Sequence, residues 1–218
     1  SYYMLPRVDS EFELTAGVPP VPPGFHLEFE SPDRPSRFFA DSDAGLRLST
    51  FKSGWDITFN YLYHYDDVPT FSRKFGLTAE GPAVRVQPEY ARSHLFGGTA
   101  SKAFGDFTLR LEYGLFLDKH FPTGSLLDRD GVVEGTNLSY MIGLDWFGIE
   151  NTVVSFQVFQ DWFSNDAEGL ARDEMQTYTT LALQRRFIRD TLMVESIWFQ
   201  DLNHGDGLIR PKITYAVN

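Results

Sequence analysis

The stretch from Trp55 to Tyr65 carries an aromatic or aliphatic side chain at every odd position, and polar ones at the even positions, Leu62 excepted. A β-strand sends successive side chains to opposite faces, so this alternation predicts a strand with one apolar and one wet side. The same period returns along the chain. It predicts strands over Gly45–Phe51, Trp55–Tyr65, Arg92–Phe104, Phe107–Asp118, Asn137–Trp146, Thr152–Phe163, Gln176–Phe187, Thr191–Phe199 and Ile209–Val217.

The links between these strands alternate in length. Lys52–Gly54, Gly105–Asp106, Gly148–Asn151 and Ile188–Asp190 are short, whereas Asp66–Tyr90, Lys119–Thr136, Ser164–Met175 and Gln200–Leu208 are longer. Tight turns at one end and Gly/Asp/Pro-rich loops at the other are the construction of an outer-membrane β-barrel. A soluble antiparallel sheet has no reason to keep that order. The expected fold is therefore all-β, an antiparallel up-and-down transmembrane β-barrel or a segment of a larger one, with about nine to ten strands.

Alternation also assigns faces. Ile57, Phe59, Tyr61, Leu109, Leu111, Tyr113, Leu115, Leu138, Tyr140, Ile142, Leu144, Phe156, Val158, Ile213 and Tyr215 are expected toward lipid. The expected lumen-lining set is Asn60, His64, Arg110, Glu112, Asn137, Asp145, Gln157, Asp161, Arg210 and Lys212, joined by Thr58, Ser139 and Thr214. A cation at mid-membrane on the lipid side costs roughly 2–4 kcal/mol, so keeping Arg110, Arg210 and Lys212 on the wet side is a real constraint. The face of Thr191–Phe199 stays open, because Val194 and Ile197 are both apolar. The lumen charges are mixed in sign, which disfavours a strongly ion-selective pore and suggests pairing across neighbouring strands.

Composition sharpens this picture. Aromatic residues make up 16% of the 218, with 20 Phe and 10 Tyr, more than a core of this size needs but what two interfacial belts use. Trp55 and Trp146 lie beside short links, Trp162 and Trp198 toward long ones. No apolar run is long enough for a membrane helix, and a barrel would show none. The net charge of −11 excludes nucleic acid as a natural partner. Cysteine is absent, which suits an exported protein and a reducing compartment about equally.

The chain divides into an N-terminal segment, 1–42, and a barrel wall, 43–218. The first holds a Pro-rich linker at Val18–Gly24, which cannot be sheet interior, and one strand candidate at Phe25–Glu30 that could bring the wall to about ten. The last residues, Tyr215–Asn218, read as a strand passing into a turn rather than a closing aromatic end. A segment of a larger barrel is favoured over a small closed one.

Five stretches carry a likeness. Gly45–Leu48 leads into the strand from Trp55, which ends in Tyr65–Phe71; later come Leu109–Tyr113, Ser155–Gln160 and Ile209–Tyr215. Together they resemble a proteobacterial outer-membrane family of the domain-of-unknown-function type, over roughly Asp43 to Val217. Its members are larger porin-like barrels often encoded near transporters of the resistance-nodulation-division type. The resemblance implies residence in the outer membrane of a Gram-negative bacterium, an envelope transporter or other envelope proteins as partners beside the lipid bilayer, and passage of small molecules, hydrophobic ones included. It lends no functional residues.

Candidate chemistry is sparse. Nucleophile-elbow, phosphate-loop and Cys-based metal motifs are absent, and no cofactor is implied. His64 or His94 beside a serine such as Ser139 is the one hydrolase arrangement the strands allow. Asp128, Asp130 and Glu134 are spaced like part of a calcium loop, but without the third oxygen ligand or the full frame, and Asn203–Gly207 is a weaker version. The expected function is a porin-like channel with no enzymatic step. Its rivals are a plugged structural barrel or partner subunit, an outer-membrane hydrolase and a soluble ligand-binding β-protein.

Overall fold

A computed structural model describes residues 23–32, 41–123, 125, 128–164 and 173–216. The Pro-rich stretch 18–22, most of the link after Ser164 and residues 217–218 lie outside them. The described residues form twelve strands: β1 (His26–Phe29), β2 (Ala44–Lys52), β3 (Trp55–Tyr65), β4 (Thr70–Thr78), β5 (Gly81–Glu89), β6 (Arg92–Phe104), β7 (Phe107–Pro122), β8 (Val132–Trp146), β9 (Thr152–Ser164), β10 (Met175–Phe187), β11 (Leu192–Asp201) and β12 (Gly207–Tyr215).

Nine of them make one antiparallel sheet in the order β12-β11-β10-β9-β8-β7-β6-β3-β2. Every sheet neighbour is a chain neighbour except where β4 and β5 intervene between β3 and β6. The nine are the strands that alternation predicts, and turn chemistry explains their joints. Ser53 and Gly54 both take positive φ, 52° and 80°, as a two-residue type I′ turn requires. Gly105 does so at the first position of the β6–β7 turn, with φ 57°. At the β10–β11 turn three non-glycine residues, Ile188, Arg189 and Asp190, are left-handed; Thr191 N and Oγ1 both donate to the Ile188 carbonyl and hold that strained turn shut.

Register fixes the faces. Across the sheet run rows such as Leu46–Tyr61–Phe96–Leu115–Leu138–Trp162, and Leu109–Leu144–Phe156–Leu181–Trp198–Ile209. The expected lipid-facing residues all fall on this apolar face, and the expected lumen residues all fall on the other. β11 is no longer ambiguous: Leu192, Val194 and Trp198 join the apolar face, while Met193, Glu195, Ile197 and Phe199 join the polar one. All four tryptophans stand on the apolar face.

The sheet is curled. A single cavity of about 1160 Å³ touches β2, β3 and β6 through β11. Laid flat, those strands would spread over about 35 Å, far too wide to share it, so the polar face is concave. Among the described residues the ladder does not close, since β2 and β12 each pair on one side only. Nine antiparallel strands leave β2 and β12 pointing the same way. The Ala216 N to Thr191 O bond, 2.8 Å, makes the even-numbered residues of β12 the hydrogen-bonded ones. Pro211 therefore turns its donorless nitrogen to the free edge, where proline is tolerated.

Three expectations need correcting. The long Asp66–Tyr90 link is mostly a β-hairpin, β4–β5, in a separate three-stranded sheet ordered β1-β5-β4. The Phe25–Glu30 candidate does form a strand, but it pairs in parallel with β5 rather than extending the large sheet, which has nine strands among the described residues and not ten. The Lys119–Thr136 link shrinks to residues 123–131, because β7 continues past a bulge after Phe116, where Asp118 adopts φ 61°.

The hairpin packs at the end of the sheet where the long links lie, with β4 against β7 and β8. Arg73 is 1% exposed. Its backbone N–H donates to the Asp130 carbonyl, and its Nη2 to the Ser125 and Asp128 carbonyls, tying β4 to the β7–β8 link. The deepest apolar side chains are Ala83, Val84 and Val86 on the hairpin and Phe163 at the long-link end of β9, not in the middle of the large sheet.

Candidate functional site: the concave face

The concave face is built from alternate residues of nine strands, and two ion pairs join neighbouring strands across it. Arg110 on β7 reaches Asp145 on β8 twice. Nη2 donates to Oδ1 at 2.9 Å, and Nε lies 2.9 Å from Oδ2 in an ion contact whose N–H is not aligned for a bond. Nη2 also lies 3.3 Å from Ser155 Oγ on β9. Lys212 on β12 sits 2.9 Å from Glu195 on β11. Asn137 donates to Asp161 and, at 3.1 Å, to the Trp162 carbonyl. Gln157 accepts from Thr180 at 3.2 Å. Pairing across neighbouring strands is thus the pattern for Arg110, Asp145, Lys212 and Asp161. Arg210 instead stands opposite Ile197, and Asn60 and Glu112 make no side-chain bond among the described residues.

His64 lies at the long-link end beside Ser93, 3.4 Å from Nε2 to Oγ. That serine is fully buried and donates to Asp66 at 3.1 Å, while His64 Nδ1 meets the Tyr65 carbonyl at 2.7 Å. The carboxylate holds the serine instead of orienting the histidine, the reverse of a nucleophile relay. His94 stands on the opposite, apolar face, where its Nδ1 meets the Tyr61 hydroxyl at 2.9 Å. Neither histidine joins Ser139, so the hydrolase arrangement is not assembled.

The acidic loop does not converge either. Asp128 accepts from the Asp130 N–H and Asp130 from the Val132 N–H, at 3.3 and 3.2 Å. Burial, followed by a hydrogen bond from Asp130, raises the Asp128 carboxyl above its usual range. Glu134 leaves this pair and lies 3.9 Å from His120 across the β7–β8 ladder. No group of three metal-ligating side chains occurs among the described residues.

What the alternation missed is an apolar lining on the concave face. Leu62, Leu95 and Phe116 are register partners in one row; Met141, Phe159 and Tyr178 are partners in another, and Tyr178 stacks on Phe199 with ring centroids 5.5 Å apart. Between the two patches Gly97 pairs with Gly114, leaving a floor without side chains. The signal was present in the sequence as breaks in period two: Leu95-Phe96, Leu115-Phe116-Leu117, Tyr140-Met141-Ile142 and Val158-Phe159 are each apolar on both faces.

The opposite, convex face has the complementary character. Leu48, Ile142, Leu144, Phe156, Leu183 and Ile213 are each more than two-fifths exposed. Its charges, Lys52, Lys102, Arg185, Arg92 and Glu134, sit only near strand ends, and Lys102 and Arg185 lie over the rings of Trp55 and Phe187. The chain matches no protein-family model and no curated protein.

Proposed function

We propose that this protein is the wall of an outer-membrane β-barrel of porin type, giving a small solute passive passage along its concave face. The observation that carries the reading is the division of one sheet into a convex apolar belt whose charges stand only near strand ends and a concave face that holds the cross-strand ion pairs. A soluble sheet that exposed such a belt would aggregate. In a bilayer the belt meets acyl chains, and the tryptophans and cation–aromatic pairs near strand ends sit at headgroup depth.

In this reading no residue does covalent chemistry. Arg110–Asp145 and Lys212–Glu195 stiffen the wall, Asn60, Glu112 and Arg210 set the field along the path, and the β4–β5 hairpin narrows the extracellular mouth. An envelope transporter is the natural partner on the periplasmic side, where the short turns lie. Single-channel recording of the full-length protein in a planar bilayer is the test, and discrete open steps are expected. Inserted protein that never conducts would replace this reading with a plugged barrel, for which the ordered hairpin at the long-link end is the specific argument.

A further inference from the structure

We infer that the concave face holds a binding site for an uncharged amphiphile, an alkyl chain with a small hydrogen-bonding head, centred on the Gly97–Gly114 floor. The inference rests on the channel reading and names its cargo. A path meant only for ions or sugars is lined with polar groups. Here the cavity of about 1160 Å³ is walled on one side by Leu62, Leu95 and Phe116 and on the other by Met141, Phe159 and Tyr178. That volume exceeds what a drug-sized ligand needs.

The floor explains how a chain could lie between the walls. A Cβ added at Gly114 would meet only Leu95 Cδ1 and Phe116 Cε2, both at 3.5 Å, and one at Gly97 would touch Tyr113 O at 3.5 Å. Neither backbone needs glycine for its φ, and neither site is too tight for a methyl group. What glycine leaves here is room above the strands.

Polar partners for the head surround that room. Asn60 and Ser139 flank the glycine pair in the same row, and Thr99 lies in the next. None of the three makes a side-chain hydrogen bond among the described residues. A hydroxyl or carbonyl head would satisfy them at little desolvation cost. The lining charges argue against an anionic head: Arg47 is opposed by Glu112 and Asp161, which leaves the site net negative. A fatty acid is therefore disfavoured against its alcohol.

The test is photolabelling of the full-length protein in nanodiscs with a diazirine-bearing hexadecanol, the modified residues being mapped by mass spectrometry. Saturable labelling of Phe116, Met141 or Phe159 is expected, competed by hexadecanol and at least tenfold less well by palmitate. Gly114→Leu should abolish that labelling while sparing labels on the convex face, and Phe159→Gln should weaken it without filling the floor. Retained heat-modifiable mobility in gels would show that both variants fold. Labels confined to the convex face, interior labels that hexadecanol does not compete, palmitate competing equally, or unchanged labelling of folded Gly114→Leu would each overturn the inference. A conducting protein without interior labels would sink this site alone, whereas interior labels on a protein that never conducts would sink the channel and keep the site.

Discussion

The Arg110–Asp145 pair shows at the level of single residues how the polar face of the large sheet is held. Asp145 is 14% exposed and Arg110 34%, so both charges are partly withdrawn from water, and the guanidinium on the adjacent strand gives one carboxylate oxygen a charge-assisted hydrogen bond and the other a close ion contact. Removing one partner strands the other. Arg110→Ala should lower stability by about 1–3 kcal/mol, read as an earlier urea midpoint for unfolding from detergent or vesicles. The double variant Arg110→Ala/Asp145→Ala should recover part of the loss, because no uncompensated carboxylate is left. A single variant as stable as the parent would remove the pair from the forces holding the wall. The alternation of Phe107–Asp118 already put Arg110 and Glu112 on the wet face, since period two leaves a charged residue only one side on which to stand. It could not say that Arg110 meets Asp145 while Glu112 meets no partner. Those outcomes depend on register, and one residue of slip would exchange every neighbour.

Among elements, strands were legible and links were not. The nine strands of the large sheet announce themselves because each carries apolar side chains on one face over about ten residues. The β4–β5 hairpin carries no such demand. Pro82 and Pro88 sit within it, and Lys74 and Arg85 interrupt its pattern, so its residues read as loop. Its stability comes from Val84, Val86 and the Arg73 bridge to the β7–β8 link, which are tertiary facts. A second tie joins links at the same end. Asn203 in the β11–β12 link accepts from the Thr177 N–H at 2.8 Å and donates to Asp173 at 3.1 Å, and His204 lies between Asp201, 3.0 Å, and Asp173, 3.6 Å. The hydrogen bond with Asp201, helped by the charges of Asp201, Asp173 and Asp206, raises the His204 pKa. Burial pushes the Asp201 carboxyl up, but bonds from His204 and from the Asn203 and His204 N–H groups outweigh it and bring that pKa down. A raised histidine contributes stability that is complete below its unfolded pKa and is lost as pH climbs through the folded one. A lowered carboxylate contributes above its unfolded pKa and loses its part as pH falls through the folded one. The tie should therefore be tightest at mildly acidic pH, with histidine charged and aspartate ionised. The melting temperature in detergent should fall as pH rises above about 6.5, the ordinary histidine value, and His204→Ala should flatten that slope. An unchanged slope in the variant would assign the pH response to other groups.

For the whole molecule the deciding property is which solvent each face meets. The hydropathy mean of −0.26 conceals it, because averaging over a strand cancels its two sides. Parity adds a constraint that no single strand carries. With β2 and β12 running the same way, an all-antiparallel closure takes an odd number of further strands, whereas joining those two edges directly would make one parallel seam. The Pro211 nitrogen facing the free edge of β12 removes a donor from whichever ladder forms there, making that seam the weaker one. The convex face can be tested without reference to closure. Ile142 stands in its middle rows, 48% exposed, between Leu111 and Val158. In water, arginine at so open a position would cost little, within about 0.5 kcal/mol of the parent. Facing acyl chains at mid-depth it would cost roughly 2–4 kcal/mol. Ile142→Arg should accordingly show the large loss when folding into phospholipid vesicles is followed against urea. Ser139→Arg, three residues earlier on the concave face, should show only a small one. If both variants fold alike, the two faces meet the same solvent and the membrane assignment fails; the predicted asymmetry would mean that the convex face meets lipid.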